Sequence, residues 1–176
     1  AVMDHSWALL TDTDRRLLAQ LSVLVGEFSC EAAQAVSDAG LRDLRRLVAN
    51  SLLAVTPSGR YALHLLVRQY VAEQRAAQPV LEGVARRRHS AYYAALAADR
   101  AGAVRAGHAA GGFSAIEADL GNIKAAWEYA ADQGDAALLA VAADGYCGYY
   151  SLRGRHAEGL DACERACRHL QPDSPV

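Results

Sequence analysis

The sequence predicts an all-α chain with a small β-hairpin. Three observations predict it. Apolar residues recur at helical spacing through most of the 176 residues. One stretch, LLAVTPSGRYAL at 52–63, instead sets apolar runs on either side of a Pro-Ser-Gly turn, as a hairpin does. The second half is interrupted only by short glycine-bearing turns, so its elements read as helices.

The elements follow in order. SWALL closes a first helix. Thr11 reads as the N-cap of the next, with Asp14 three residues on as its capping-box partner. Leu17, Leu18, Leu21 and Leu24 give that helix its apolar stripe, and Gly26 stops it. Ser29 caps a short helix from Cys30 to Asp38, with Gly40 as its C′ residue. A third helix runs from Leu41 to Asn50, with Leu44, Leu47 and Val48 facing inward. After the hairpin, Leu63, Leu66, Val67, Tyr70 and Val71 mark an amphipathic helix. Three helices, a hairpin and a further helix describe a winged-helix domain over residues 1–77. RAAQPV, broken by Pro79, reads as a linker or helix junction.

Residues 78–176 read as a helical domain. A long helix spans Leu81 to Arg105, and GHAAGGFS reads as a loop. Ile116, Leu120, Ile123, Trp127 and Ala130 form one helical face, and Gly134-Asp135 turns the chain. Leu138, Leu139, Ala142, Tyr146, Tyr149 and Tyr150 form the next buried side. Within it, Gly145 and Gly148 either admit a close neighbour or weaken the helix. Gly154 turns the chain again, and the last helix runs to about Leu170, before Pro172. In it Gly154, Glu158, Leu160, Ala166, Cys167 and Pro172 fit a tetratricopeptide second helix, with His156 at the aromatic position and Gly159 at the alanine. Residues 78–176 are therefore expected to begin an array of tetratricopeptide-like repeats that continues past Val176, since solenoid units need neighbours to bury their faces.

Bulk properties exclude several function classes. A net charge of −2 argues against a strongly basic nucleic-acid binder, while leaving room for a local basic face. No run of about 18 apolar residues exists to span a membrane. AVMDHSWALL lacks the pattern of a signal peptide, which makes the cytoplasm the expected location. Lys124 is the sole lysine and lies in GNIKAAW, so no phosphate-binding P-loop is present. Cys163 and Cys167 share a face with Leu160 and Leu170, and all four cysteines read as buried thiols. His156 and His169 lack zinc spacing, and no metal or resident cofactor is expected in these residues. Ser, Cys and His show no nucleophile-elbow arrangement, and Glu117 and Asp119 point to different sides of a helix. Enzymatic activity is not expected here.

LAQLSVLVGEFSCEAAQAV, LRRLVANSLLAV, GRYALHLLVRQYVAEQ, RRRHSAYYAALA and IEADLGNIKAAWEYAADQGD follow one another in an order that resembles bacterial STAND-type regulatory ATPases. These are the NB-ARC-like proteins found among transcriptional regulators of the SARP and LuxR kinds. The resemblance covers nearly the whole chain, from just after the nucleotide-binding domain into the sensor array. It implies an upstream nucleotide-binding domain of the same chain that binds ADP or ATP. The winged helix would fold back on that domain as a lock on the ADP state. The helical repeats would receive a protein or small-molecule inducer.

In that family a Met-His-Asp motif opens the last helix of the winged helix and sets histidine near the β-phosphate of ADP. Leu63, His64 and Leu65 match it here, with the histidine kept and leucine at the aspartate position. A helix N-terminus favours anions independently of any family. Arg68, one turn on, is the candidate second phosphate ligand. The plain alternative is a capping or surface histidine. A rival function is DNA binding by Arg42, Arg45 and Arg46 on the third helix, with Arg60 on the hairpin reaching a phosphate. Asp38 and Asp43 lie close and dilute that charge, so a solvated or protein-docking face stands against it. Arg86, Arg87 and Arg88 are expected to cover a helix junction. A plain interaction scaffold is the third possibility.

Overall fold

The computed structural model describes residues 7, 10–76, 79–106 and 109–170. It is mostly helical, with one small three-stranded antiparallel sheet. The chain divides into two compact units, Ala1–His89 and Ser90–Val176, and the division falls inside a helix, beyond the expected boundary at 77. Among the described residues no helix is long and apolar enough to cross a membrane.

The first unit opens with α1 (Asp12–Leu21), capped by Thr11, whose hydroxyl accepts from the Asp14 N–H at 3.1 Å. The helix stops before Leu24, earlier than its apolar stripe suggests. Ser22 caps it, and the Ser22 hydroxyl donates to the Ala19 carbonyl at 2.7 Å, which competes with continuation of the ladder. Leu24 is still buried, from the following turn. Next comes β1 (Glu27–Phe28), a strand that no periodicity announces because two residues hold no alternation.

Helix α2 (Cys30–Ser37) is capped by Ser29, which accepts from the Ala32 N–H at 3.2 Å. Its end differs from expectation. Asp38, at φ 61°, takes the left-handed position assigned to Gly40. Aspartate tolerates that conformation better than most residues. Gly40 instead opens α3 (Leu41–Ala49), and its N–H donates to the Asp43 carboxylate at 3.1 Å. Leu44 and Leu47 of α3 are fully buried, while Val48 is half-buried.

Strands β2 (Leu53–Val55) and β3 (Tyr61–Leu63) form the expected hairpin. Its tip is closed by Thr56 N–H to the Arg60 carbonyl, 2.8 Å, with Gly59 at φ 76°. β3 lies between the other two strands: Ala62 pairs with Ala54 on one side and Glu27 on the other. Helix α4 (Leu65–Ala76) follows, burying Val67 and Val71. The expected stripe is corrected here. Leu63 belongs to β3, and Leu66 is 69% exposed.

Helix α5 (Pro79–Arg105) begins at the proline read as a break. Proline suits a first helical position, where its missing N–H is not needed. In the second unit, α6 (Ala109–Asp132) overturns the loop expected over GHAAGGFS from Ala109 onward; residues 107–108 lie outside the described ones. Each helical glycine costs only about 1 kcal/mol, and the packed stripe of Ile116, Ile123, Trp127 and Ala130 outweighs it.

Gly134, at φ 63°, turns into α7 (Ala136–Leu152), capped by Asp135, which accepts from the Leu138 N–H at 3.0 Å. Gly154, at φ 68°, turns into α8 (His156–Leu170). The two α7 glycines differ. A Cβ on Gly145 would overlap the Ala97 carbonyl oxygen and lie 2.5 Å from its carbonyl carbon, whereas one on Gly148 would meet nothing within 4 Å. The buried face of α8 is also not the expected one. Gly159 and Ala166 are buried, while Leu160 is 60% exposed and Cys167 is exposed. Gly159 packs so closely on Tyr150 that a Cβ there would lie 2.9 Å from the Tyr150 Cβ, and this contact turns the helix. The expectation of buried thiols falls with it: Cys30, Cys147 and Cys163 are half-buried.

Candidate functional site

His64 is the residue between β3 and α4. Its carbonyl accepts the Arg68 N–H at 2.8 Å, the first rung of the α4 ladder. The N–H groups of Leu65, Leu66 and Val67 precede that ladder and lack intrahelical acceptors. The His64 side chain is exposed, and so are its neighbours Leu65 (77%) and Leu66 (69%). The start of α4 is therefore a polar helix end beside two bare leucines.

Arg68 is placed elsewhere. Its guanidinium donates to the Leu24 carbonyl, tying α4 to the turn after α1. Burial pushes its pKa down from the usual guanidinium value. The Arg68 guanidinium is thus engaged by a backbone carbonyl of another element.

The α3 arginines divide. Arg46 donates from Nε to Asp14 Oδ1 at 2.9 Å, and its Nη2 lies 2.8 Å from the same oxygen and 3.0 Å from Asp43 Oδ1. Asp14 is buried. Burial would raise its pKa, but the hydrogen bonds from Thr11 and Arg46 and the Arg46 charge outweigh that and hold the carboxyl below its ordinary value. The same pairing raises the Arg46 pKa. Arg42 and Arg45 are exposed, and among the described residues neither is in an ion pair.

Arg60 donates from Nη2 to the Glu27 carbonyl at 3.1 Å, while the Ser58 hydroxyl donates to the Glu27 carboxylate at 2.8 Å. The hairpin tip is thus stitched to β1 through both the carbonyl and the carboxylate of Glu27. Sequence reasoning missed Glu27, because its role depends on the strand that the sequence did not announce. Of the basic run, Arg86 pairs with Glu82 at 2.8 Å, and Arg88 pairs with Asp38, just past the end of α2, at 2.6 Å.

No protein-family model, curated protein or solved structure matches this chain.

Two concave regions lie within single units. In the first unit, an open cleft of about 1000 Å³ is lined by Trp7, Arg15, Arg16, Leu81, Val84 and Arg88 among others. In the second, a groove of about 270 Å³ lies between Lys124, Trp127, Tyr146, Tyr150, Asp161 and Ala162. Its wall is built by the Trp127 indole, whose Nε1 donates to the Ala162 carbonyl at 3.1 Å, and by Tyr146, whose ring is tilted 33° to it with centroids 5.0 Å apart. Burial pushes the Tyr146 hydroxyl pKa well up. The signal for this groove was present as an aromatic stripe, which sequence reasoning assigned to the core alone. Among the described residues no group of three or more His, Cys, Asp or Glu side chains is placed to hold a metal ion.

Proposed function

We propose that the first unit is a winged-helix regulatory module that docks through the His64 end of α4 onto a nucleotide-binding domain. The observation that carries this reading is the pairing of a helix N-terminus with exposed apolar side chains. Leu65 and Leu66 are 77% and 69% exposed in the first turn, beside His64. Exposed leucines suit a protein partner, and the unsatisfied N–H groups between them suit a phosphate. The resemblance to STAND-type regulators supplies the partner: a nucleotide-binding domain of the same chain, held in its ADP state. The second unit, in which α6, α7 and α8 pack on one another, acts as tetratricopeptide-like helices that receive a protein or small-molecule inducer. Two sites then bias one docking equilibrium, which is the requirement for a switch.

The test uses a chain long enough to include the nucleotide-binding domain, with its nucleotide content measured as purified. The unaltered protein is expected to carry ADP, and His64→Ala is expected to lose it. ADP retained unchanged by His64→Ala would remove histidine from the phosphate site.

The exposure of Arg42 and Arg45 favours a second reading, duplex DNA binding through α3. It is the weaker one, because Arg46 is engaged by two carboxylates and Arg60 lies beside Glu27. It predicts duplex binding that falls steeply with salt and is lost in Arg42→Ala/Arg45→Ala. Absence of binding at low salt would end it.

A further inference from the structure

Cys147 on α7 and Cys163 on α8 face one another with their sulfurs 3.1 Å apart. The two residues come from different helices, sixteen positions apart in the chain. A disulfide needs a separation of about 2.05 Å, so closing the bond asks for about 1 Å of movement. Neither thiol is sealed in the core: both are half-buried. The other two cysteines stand apart, Cys30 in the first unit and Cys167 exposed one turn beyond Cys163.

We infer that Cys147 and Cys163 form a reversible, peroxide-sensitive disulfide that clamps α7 to α8. This inference is independent of the docking proposed for His64.

The chemistry balances with a hydroperoxide as oxidant. Cys163 attacks the peroxide oxygen; the O–O bond breaks, leaving a sulfenic acid on Cys163 and releasing water from hydrogen peroxide. Cys147 then attacks the Cys163 sulfur, the S–O bond breaks, and a second water leaves with the thiol proton. The sum is two thiols and one hydrogen peroxide giving one disulfide and two waters. A cellular dithiol restores the pair by thiol–disulfide exchange. The order of the two steps follows from the surroundings. Burial, the neighbouring Cys163 thiol and Asp144 push the Cys147 pKa up to about 12. Cys147 is therefore the poor first nucleophile, and contact with Cys163 makes it the resolving one, since proximity replaces intrinsic reactivity.

The clamp has a consequence for the second unit. Tyr146 and Ala162, which line its groove, directly precede the two cysteines. A bond between the sulfurs fixes the spacing of those two walls, so oxidation changes how far the groove can open.

The experiment uses the full chain with Cys30→Ser and Cys167→Ser, so that only the pair remains. The reduced protein is treated with equimolar hydrogen peroxide. The expected result is loss of both titratable thiols, a mass decrease of about 2 Da, a single crosslinked peptide joining Cys147 to Cys163, and full reversal by dithiothreitol. The melting temperature should rise by about 5 °C or more on oxidation, because the bond closes a loop in the unfolded chain. Persistent free thiols, mass gains of one or more oxygens, or disulfides only between chains would each overturn the proposal. Peptide mapping of the unaltered protein after the same treatment tests the clamp without substitutions: a Cys147–Cys163 peptide supports it, and the absence of that peptide overturns it.

Discussion

Arg46 of α3 and Asp14 of α1 are joined across 32 residues, with Arg46 Nε 2.9 Å and Nη2 2.8 Å from the Asp14 Oδ1. Asp14 also receives a 2.7 Å hydrogen bond from the Thr11 hydroxyl, so the cap of α1 and the face of α3 share one buried carboxylate. This contact fastens the first helix to the third. It also withdraws Arg46 from any role as a free cation.

Arg46→Ala is expected to destabilise the first unit by about 1–2 kcal/mol, because it leaves the Asp14 carboxylate buried with only Thr11. The Arg46 side chain is 40% exposed, and solvent screening keeps the effect below that of a fully buried pair. The pH dependence follows from the lowered Asp14 pKa. A carboxyl whose folded pKa is depressed contributes stability that is fully present above its unfolded pKa, about 3.9, and is lost as pH falls through the folded value. Urea midpoints measured from about pH 6 down to about pH 2.5 should therefore fall more steeply below about pH 4 in the unaltered protein than in Arg46→Ala. Parallel curves would contradict the pairing.

Two glycines of α7 are expected to respond oppositely to alanine. Gly145→Ala drives a Cβ into the Ala97 carbonyl oxygen and to 2.5 Å from its carbonyl carbon, both backbone atoms that yield little. A loss of about 3 kcal/mol or more is expected. Gly148→Ala meets open space, so the helix propensity of alanine should add about 0.5–1 kcal/mol. Thermal melts of the two variants check the pair, and equal shifts would contradict the close approach of α7 to Ala97.

Leu66→Asp tests the proposed docking apart from folding. The side chain is 69% exposed, so stability should stay within about 0.5 kcal/mol, and a carboxylate in the first turn of α4 favours the helix slightly. In a chain carrying the proposed nucleotide-binding domain, this substitution should weaken docking and speed ADP release. A fluorescent ADP analogue gives the release rate. A rate unaffected by the change would place the docking face elsewhere.

Trp127→Phe removes the 3.1 Å hydrogen bond to the Ala162 carbonyl while keeping most of the ring's packing. The second unit should lose about 1 kcal/mol, read as an earlier urea midpoint. A loss near that of Trp127→Ala, about 3–5 kcal/mol, would mean that ring shape rather than the N–H holds α6 to α8.

Much of the fold was legible because its signals are local. Thr11, Ser29 and the Gly134-Asp135 turn mark helix starts through side chains that bond their own backbone neighbours. The hairpin turn at 56–60 is likewise a matter of four or five residues. The site was legible only in part. His64 was placed at a helix start, as its carbonyl bond to the Arg68 N–H shows, but the engagement of Arg68 with Leu24 was not foreseeable. Those two residues are 44 apart, and no spacing rule connects them.

By itself the sequence determined most of the helical stretches, where the hairpin turns, and the apolar stripes of several helices, because propensity, capping and periodicity act over one or two turns. Only the tertiary structure decided the rest. The strand β1 exists because Phe28 pairs with Tyr61, and no two-residue strand stands alone. The buried face of α8 was chosen by Gly159 against Tyr150, not by its more apolar side. Arg46 found Asp14, and Cys147 found Cys163, only once helices distant in sequence were packed together. The physical reason is common to all four. Each depends on the free energy of a contact between separate elements, and local sequence carries no record of which element will arrive.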